Sequence, residues 1–283
     1  MGDLGGPLRL IRPINCIMVG FAIIVGAAIG AGSEFLSSWR SLILGFATGF
    51  TLTGSAMAIN DYYDREIDAI NEPGRPIPSG AVTPTEALAV SIALSSVGLL
   101  AAWATSPVCL GIAVFSWAVM MFYSTRGKRT GFFGNLLVST CIAVPFIYGA
   151  VAVENAVSFP SLLFVLMAFL SNTGREITKG IVDVEGDRSK GVRTVAVSKG
   201  VRTAASAAAT IYLSAVFVSL LPIPLGLVSF WYVPFVALTD VGLVVSSYVL
   251  LRNPSQENSR SIKNRALIWM MSGLIGFLVG SLP

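Results

Sequence analysis

The segment LILGFATGFTLTGSAMAINDYYDREID, residues 42–68, joins a long apolar run directly to a cluster of acidic side chains. The apolar part carries no charged side chain and has the length that a helix needs to cross a hydrocarbon layer of ~30 Å. If the helix continues, Asn60, Asp64 and Asp68 lie about one turn apart along one face, and Asp61 is close to that face. The segment therefore predicts a membrane helix that ends in a stripe of oxygen ligands.

The composition of the whole chain agrees with a lipid surrounding. Of its 283 residues, 54% are hydrophobic and 12% are charged, whereas soluble domains carry about 25% charged residues. No histidine is present, which excludes His-based zinc and haem sites and the usual general base near neutral pH. Cys16, Cys109 and Cys141 are scattered in apolar sequence, so we expect packing roles rather than disulfides or a metal cluster. The chain is predicted to be an all-α, polytopic membrane protein.

Apolar runs separated by Gly, Pro and polar residues predict nine membrane-spanning helices in a single domain, residues 1–283. The predicted spans are residues 14–31, 42–60, 87–105, 108–123, 132–153, 161–174, 204–221, 232–251 and 262–282. Thr83 and Glu86 have the spacing of a capping box, which marks the start of the third helix. The two long connections, residues 61–86 and 175–203, both begin with charged segments that contain an acidic motif, which indicates an internal duplication.

Lysine and arginine are concentrated on one predicted side of the membrane. They precede the first span and fill the connections after spans two, four, six and eight, while the alternate connections hold only Arg40. The positive-inside rule therefore predicts that the N-terminus and both long connections are cytoplasmic and that the C-terminus lies outside the cell membrane. The same bias accounts for the net charge of +4, so we expect no nucleic-acid partner.

The first acidic motif, residues 60–68, has two interpretations. Three carboxylates and an amide on one helix face repel one another unless a cation lies among them, and Mg²⁺ binds one or two carboxylates together with waters and substrate phosphates. The alternative is a solvated acidic helix end. We favour the metal site, because charged side chains at the end of a membrane span are costly and tend to be functional.

The second acidic motif lies in the segment REITKGIVDVEGD, residues 175–187. Arg175, Lys179, Asp183 and Asp187 follow one another at i+4 spacing, so a helix would present two cations and then two carboxylates. The alternative is a row of i,i+4 salt bridges, each contributing about 0.2–0.5 kcal/mol. If the two acidic motifs face each other, they form a site for several Mg²⁺ ions and for a diphosphate whose oxygens bridge the metals.

Other polar residues are candidates for the same site. Arg75 lies in the rigid turn RPIPSG, and Lys128 lies in a basic connection after the fourth span. Both match phosphate oxygens, and both also fit the alternative role of cytoplasmic membrane anchors. Asn15, at the start of the first span, is expected to face the same cavity. Asp240 interrupts the eighth span, where an ionisable group is a functional candidate by default, but we do not assign it to this site.

Taken together, these motifs resemble the UbiA superfamily of intramembrane prenyltransferases. The resemblance rests on NDYYDREID of residues 60–68, RPIPSG of residues 75–80 and DVEGD of residues 183–187. It covers essentially the whole chain in helix count, motif order and spacing. Gly180 departs from the pattern, since many members carry a further Asp there. This departure leaves the number of bound metal ions open.

The resemblance implies nine helices around a central cavity, which two cytoplasmic loops cap and which opens sideways to lipid. It implies Mg²⁺ as cofactor, held by Asn60, Asp64, Asp68, Asp183 and Asp187. Substrate contacts are expected from Asn15, Asn60, Arg75, Tyr123, Lys128 and Arg175. The residues expected to take part in catalysis are Asp61, Asp64, Asp68, Asp183, Asp187 and Lys179.

The implied reaction is the loss of diphosphate from a prenyl diphosphate, followed by capture of the allylic cation by an acceptor. No strong base is required early, which agrees with the absence of histidine, and Asp61 or Asp68 is expected to accept the final proton. In residues 174–187 the chain is most similar to the archaeal branch of the family. This similarity implies transfer of geranylgeranyl from its diphosphate to geranylgeranylglyceryl phosphate, a step in making archaeal diether lipids.

Other functions remain open at this point. An aromatic prenyltransferase of the 4-hydroxybenzoate type, acting in quinone biosynthesis, would use the same motifs with another acceptor. A cation transporter would place its carboxylates in broken helices at mid-membrane, whereas these acids follow the spans. A CDP-alcohol phosphotransferase would need a compact motif that the sequence lacks. The expected partners are the prenyl diphosphate, a lipid-soluble acceptor and membrane lipid, with no obligate protein partner.

Overall fold

The computed structural model describes residues 5–189 and 191–282, and their regular secondary structure is helical. The α-helices are α1 (Gly5–Ile11), α2 (Pro13–Ala31), α3 (Trp39–Asn71), α4 (Pro84–Thr105), α5 (Pro107–Thr125), α6 (Phe132–Glu154), α7 (Phe159–Val182), α8 (Val184–Ser189), α9 (Val195–Lys199), α10 (Val201–Leu220), α11 (Tyr232–Arg252) and α12 (Gln256–Gly280). Two short 3-10 helices, Gly32–Ser38 and Gly127–Thr130, follow α2 and α5. The described part of the chain contains no β-strand, which confirms the all-α prediction.

Nine helices among these described residues contain 19 or more residues, namely α2–α7 and α10–α12. Each overlaps one predicted span. Length and hydropathy identify 7 candidate membrane spans in the same part of the chain, the first of which, Pro13–Glu66, contains both α2 and α3. Helix α7 is not among them, because its second half is largely polar from Ser171 onward. The protein is a multi-pass membrane protein, and the number of nine crossings stays a prediction.

Capping residues set several helix boundaries. The Thr83 hydroxyl accepts a hydrogen bond from Glu86 N at 3.2 Å, and Glu86 Oε2 accepts one from Thr83 N at 2.7 Å. The predicted capping box at the start of α4 is therefore confirmed. The hydroxyls of Ser158 and Ser255 cap α7 and α12. These contacts satisfy backbone N–H groups of the first turn, which have no partner inside the helix.

The two acidic motifs differ in how their helices end. Helix α3 continues to Asn71, so the whole first motif is helical, as expected. Helix α7 ends at Val182, and Asp183 occupies its C-cap with φ −96° and ψ 10° before α8 begins. The helix is therefore interrupted at Asp183, but Asp183 N still donates to Lys179 O at 3.0 Å and Asp187 N donates to Asp183 O at 2.8 Å. The predicted i+4 stripe from Arg175 to Asp187 stays a prediction.

Consecutive long helices pack against each other, and α2 also packs against α6, α7 and α12, which closes the bundle. Two glycines allow the close crossing of α2 and α6. A Cβ atom added at Gly149 would lie 1.9 Å from Ile23 O, and one added at Gly26 would lie 2.3 Å from Phe146 O. Small residues stabilise helix pairs in membranes through this kind of close backbone approach.

Neighbouring long helices run in opposite directions, as α3 and α4 show: Ser55 contacts Ser91, and Thr48, earlier in α3, contacts the carbonyl of Gly98, later in α4. One end of the bundle therefore collects the C-terminal ends of α3, α5 and α7 and the N-terminal ends of α4, α6 and α10. At this end, α1 and the loop between α3 and α4 are anchored by a small apolar cluster, in which Leu10, Ile77 and Val82 are buried with Ala58 and Ala87. The cluster fixes the loop beside the first acidic motif.

Candidate active site

The charged residues of the first acidic motif lie along one face of α3 and make two sets of contacts. In the first set, Arg75 Nη1 lies 2.7 Å from Asp68 Oδ2 and 3.3 Å from Asp61 Oδ1. Arg12 Nη2 lies 2.7 Å from the same Asp61 oxygen. Asp61 and Asp68 are two turns apart, so one guanidinium can contact both. These cations neutralise two carboxylates whose side chains are only 2% and 8% exposed.

Asn60 and Asp64 make the second set of contacts. The Asn60 amide Nδ2 donates to Asp64 Oδ2 at 3.0 Å, and the Lys128 ammonium contacts Asp64 Oδ1. Lys128 belongs to the 3-10 turn after α5. Gly131 ends that turn with φ 68° and packs directly against the backbone of Arg193. The turn is thereby held between the first motif and the connection that follows the second motif.

Both cations of the second motif contact one glutamate. Arg175 Nη1 lies 3.0 Å from Glu176 Oε1, and Lys179 Nζ lies 3.6 Å from Glu176 Oε2. Glu176 is buried, whereas Asp183 is exposed and Asp187 is half-buried. Glu176 therefore holds both cations of the second motif, although it is not part of the predicted i+4 stripe. Asp183 and Asp187 follow these residues in the sequence.

Tyr123, near the end of α5, connects the two motifs. Its half-buried phenol lies within electrostatic range of Asp64 on one side and of Lys179, Glu176 and Asp187 on the other. The predicted residues of both motifs therefore meet at one end of the bundle. This is the arrangement expected for two acidic motifs that act on the same ligand.

Three charged residues of this region were not among the predicted site residues: Arg12, Glu72 and Glu176. Arg75 Nε donates to Glu72 Oε2 at 2.8 Å, and this hydrogen bond lowers the pKa of Glu72. Glu72 precedes Arg75 by three residues, and Glu176 is the neighbour of one predicted cation and lies three residues from another. That spacing is a usable signal for an ion pair. For Arg12 the only signal in the sequence is its position in the basic segment before the first span.

The donor set of the two motifs fits Mg²⁺. Within the described residues, no group of three or more His, Cys, Asp and Glu side chains lies close enough to hold a metal ion. Mg²⁺, however, usually takes one or two carboxylates and completes its octahedron with waters and substrate phosphates. Asn60 and Asp64 offer an amide and a carboxylate on one side of α3. In addition, Asp61 Oδ2 is buried and has no hydrogen-bond partner among the described residues, so one buried oxygen remains available to a ligand.

An apolar cavity of about 140 Å³ lies deeper in the bundle, next to the first motif. Its lining comes from α2, α3, α5 and α6, and on α3 it reaches Ala56 and Met57, about one turn before Asn60. The lining also includes Tyr148, whose hydroxyl lies 3.3 Å from Thr48 Oγ1. Because most of the lining is apolar, the cavity suits a hydrocarbon chain.

Two residues considered from the sequence lie apart from these contacts. Asn15 is exposed on the first turn of α2, and its substrate contact stays a prediction. Asp240, on α11, accepts a hydrogen bond from Ser219 Oγ at 2.8 Å. Ser219 is close to the C-terminal end of α10, whose N-terminal end lies with the acidic motifs, so this pair is at the opposite end of the bundle.

Comparisons with known proteins agree with this geometry. The UbiA prenyltransferase family matches residues 19–271 of the chain. A digeranylgeranylglyceryl phosphate synthase from Archaeoglobus fulgidus is 36% identical over 276 residues, which cover 96% of this chain and 94% of that protein. The similarity therefore extends over nearly the full length of both proteins.

Solved structures have the same fold. One, described as digeranylgeranylglyceryl phosphate synthase in membranes, has a TM-score of 0.82 at 31% identity and covers 99% of both chains. A UbiA homologue from Archaeoglobus fulgidus, bound to GPP and Mg²⁺, has a TM-score of 0.64 at 17% identity and covers 96% of this chain and 99% of that one. The second likeness concerns the fold alone. With its acidic motifs, its fold and its full-length similarity, the chain belongs to the UbiA prenyltransferase family.

Proposed function

We propose that this protein transfers a geranylgeranyl group from geranylgeranyl diphosphate to geranylgeranylglyceryl phosphate, forming the digeranylgeranylglyceryl phosphate of archaeal diether lipids. The observation that carries the proposal is the meeting of two acidic motifs with Tyr123 and Lys128 beside an apolar cavity. A prenyl diphosphate likewise joins a highly charged head to a hydrocarbon chain. The synthases that this chain resembles support the choice of acceptor.

The donor diphosphate would bind between Asp64 and Asp187, close to Lys128 and Lys179. Lys128 contacts Asp64 without a ligand, and its ammonium can turn to a phosphate oxygen when the diphosphate arrives. Mg²⁺, when bound, would neutralise the diphosphate and stabilise it as the leaving group. Its proposed ligands are Asn60, Asp64, Asp68, Asp183 and Asp187.

The reaction breaks the C1–O bond of the donor, with the electron pair leaving on the diphosphate, and forms a C1–O bond to the acceptor hydroxyl. The apolar cavity would take the far end of the prenyl chain and help to exclude water from the allylic cation. The ring of Tyr123 would stabilise positive charge near the first carbon. The hydroxyl proton goes to Asp61 or Asp68, and Asp61 offers a buried oxygen without a partner among the described residues.

The membrane arrangement belongs to the same proposal. The nine long helices would each cross the bilayer as one domain, with the N-terminus and the site in the cytoplasm and the C-terminus outside. The one-sided distribution of lysine and arginine supports this orientation. A cytoplasmic site would also meet water-soluble Mg²⁺ and the charged heads of both substrates.

The test is transfer by the purified protein with Mg²⁺ and radiolabelled geranylgeranyl diphosphate. One reaction contains geranylgeranylglyceryl phosphate, another contains 4-hydroxybenzoate, and each is repeated with EDTA. Asp64→Asn removes a charge but keeps the size of the side chain, and Glu257→Gln, at an exposed position of α12, is the matched control. We expect a labelled diether phosphate from the wild type and the control, at least about 100-fold less from Asp64→Asn, and none with EDTA.

Each other outcome contradicts a stated part of the proposal. A labelled aromatic product would support prenyl transfer but contradict the proposed acceptor, and it would indicate a role in quinone biosynthesis. Transfer that continues unchanged with Asp64→Asn or with EDTA would contradict the metal site. No transfer to either acceptor by the folded protein would contradict the proposed function as a whole.

A further inference from the structure

A cleft of about 490 Å³ opens beside the first acidic motif, and three arginines line it. Arg9 comes from α1, Arg12 from the junction of α1 and α2, and Arg75 from the loop after α3. The other lining residues are Asp61, Glu72, Gly74 and Pro76. The lining itself carries three cations and two carboxylates, and a third carboxylate, Asp68, lies behind Arg75. The exposed cation that the cleft offers to an anion is therefore Arg9.

Local structure holds these arginines in place. Leu10, next to Arg9 in the sequence, is fully buried in the apolar cluster that anchors α1 and the loop. Arg9 Nη2 donates to Gly74 O at 2.6 Å, which ties α1 to the loop. Arg12 has φ 51° and ψ 72°, a left-handed conformation that is uncommon for residues other than glycine and that clusters at functional sites.

Contacts with carboxylates account for two of the arginines, whereas the third contacts a backbone carbonyl. Arg75 contacts three carboxylates, and Arg12 contacts Asp61. Arg9 is exposed, and its only described side-chain partner is the carbonyl of the loop. An exposed guanidinium at the cleft that contacts no carboxylate among the described residues fits a phosphate group, with which guanidinium forms charge-assisted, bidentate hydrogen bonds.

The position of the cleft separates it from the donor site. Asp61 lines the cleft, whereas Asp64 faces Lys128 and the second motif. In geranylgeranylglyceryl phosphate, the phosphate and the reacting hydroxyl are on neighbouring carbons, so a phosphate in the cleft keeps the hydroxyl beside the first motif.

We infer that Arg9, Arg12 and Arg75 bind the phosphate of the acceptor lipid and so give the enzyme its preference for a phosphorylated acceptor. The inference rests on the proposed function, because it assigns one of the two phosphorylated substrates to a subsite. The donor diphosphate keeps the position beside Asp64, Lys128 and the second motif. Neutralisation of Asp61 explains Arg12 and Arg75, but it does not explain Arg9, whose described contact is the carbonyl of Gly74.

The test compares geranylgeranylglyceryl phosphate with geranylgeranylglycerol, which lacks only the phosphate. The variants are Arg9→Gln, Arg9→Lys and Arg260→Gln, the last at an exposed position of α12 outside the cleft. Arg12→Lys joins them, because it keeps the charge that neutralises the buried Asp61 while losing the guanidinium fork.

Arg9→Gln is expected to raise KM for the phosphorylated acceptor at least about tenfold. It should leave KM for the donor and kcat/KM for geranylgeranylglycerol unchanged. Arg9→Lys should restore part of the loss, Arg12→Lys should weaken the same preference, and Arg260→Gln should match the wild type. A merely structural role would not change the ratio of kcat/KM for the two acceptors.

If Arg9→Gln prefers the phosphorylated acceptor as strongly as the wild type does, the inference is overturned. A rise in the KM for the donor alone would also overturn it. If the wild type uses neither acceptor, the proposed function fails. The role of the cleft is then tested by measuring the binding of the two lipids. Geranylgeranylglyceryl phosphate must then bind the wild type more tightly than geranylgeranylglycerol, by a margin that Arg9→Gln removes. Equal Kd values for the two lipids would overturn the inference independently of any transfer.

Discussion

Asp61 and Asp64 are three residues apart in one helix, yet different parts of the chain balance their charges. Arg12 and Arg75 hold Asp61 from the side of the first helix and the loop, whereas Lys128 holds Asp64 from the turn after α5. An anion beside Asp61 and another beside Asp64 can therefore bind at once without sharing a cation. This arrangement fits a reaction in which donor and acceptor both carry phosphate.

Lys128→Met tests the donor side at the scale of a single residue. The change keeps the length of the side chain and removes the ammonium at Asp64, where negative charge develops on the departing diphosphate. We expect kcat/KM for geranylgeranyl diphosphate to fall about 100-fold, with little change in KM for the acceptor, in steady-state assays with varied donor. Lys199→Met, at an exposed position of α9, is the control. An equal loss in both variants would remove Lys128 from the donor site.

The acidic residues of the site can be predicted from the sequence, but their cationic partners cannot. Helical spacing at the end of a span is enough to group Asp61, Asp64 and Asp68. Arg12 reaches Asp61 across 49 residues of sequence, and that contact exists only because α1 and α2 pack beside α3. The positive-inside rule explains an arginine before the first span equally well, so the sequence contains nothing that singles it out.

At the scale of elements, α7 combines two environments in one helix. Its second half buries polar side chains, which bind it to α6: Asn172 Nδ2 and Thr173 Oγ1 both donate to Ser139 Oγ, at 3.2 and 2.8 Å. Neighbouring helices satisfy such polar groups inside a membrane bundle. This half ends the predicted sixth span early, at residue 174, because sequence hydropathy cannot show that these side chains face protein rather than lipid.

Gly149→Ala tests the crossing of α2 and α6. The added Cβ would lie 1.9 Å from Ile23 O, so the backbones must separate, and overpacking of this kind typically costs about 1–3 kcal/mol. We expect a lower thermal unfolding midpoint of the protein in detergent. Gly111→Ala is the matched control, because its added Cβ meets no heavy atom within 4 Å and alanine favours the helix by about 1 kcal/mol. Equal midpoints for the two variants would mean that the crossing tolerates a side chain.

At the scale of the whole molecule, helix order and the meeting of both motifs at one end follow from the sequence, since alternating spans bring every second connection to the same side. The closure of the bundle does not follow from it. Helix α2 packs against α6, α7 and α12, and it meets α6 through glycines whose partners are far away in the chain. The apolar cavity is the space that such contacts leave. Its size and position are therefore properties of the fold alone.

Ala113→Phe tests whether this cavity determines which length of prenyl chain the enzyme accepts. Ala113 lines the cavity from α5 and is 2% exposed, so a phenyl ring there takes space from the far end of the donor. One added group in an apolar pocket changes selectivity by about 10–200-fold, and we expect at least about tenfold in the ratio of kcat/KM for geranylgeranyl over geranyl diphosphate. Val114→Phe, at a neighbouring position that is 44% exposed, should keep the wild-type ratio. If Ala113→Phe folds and also keeps the wild-type ratio, the prenyl chain does not extend into this cavity.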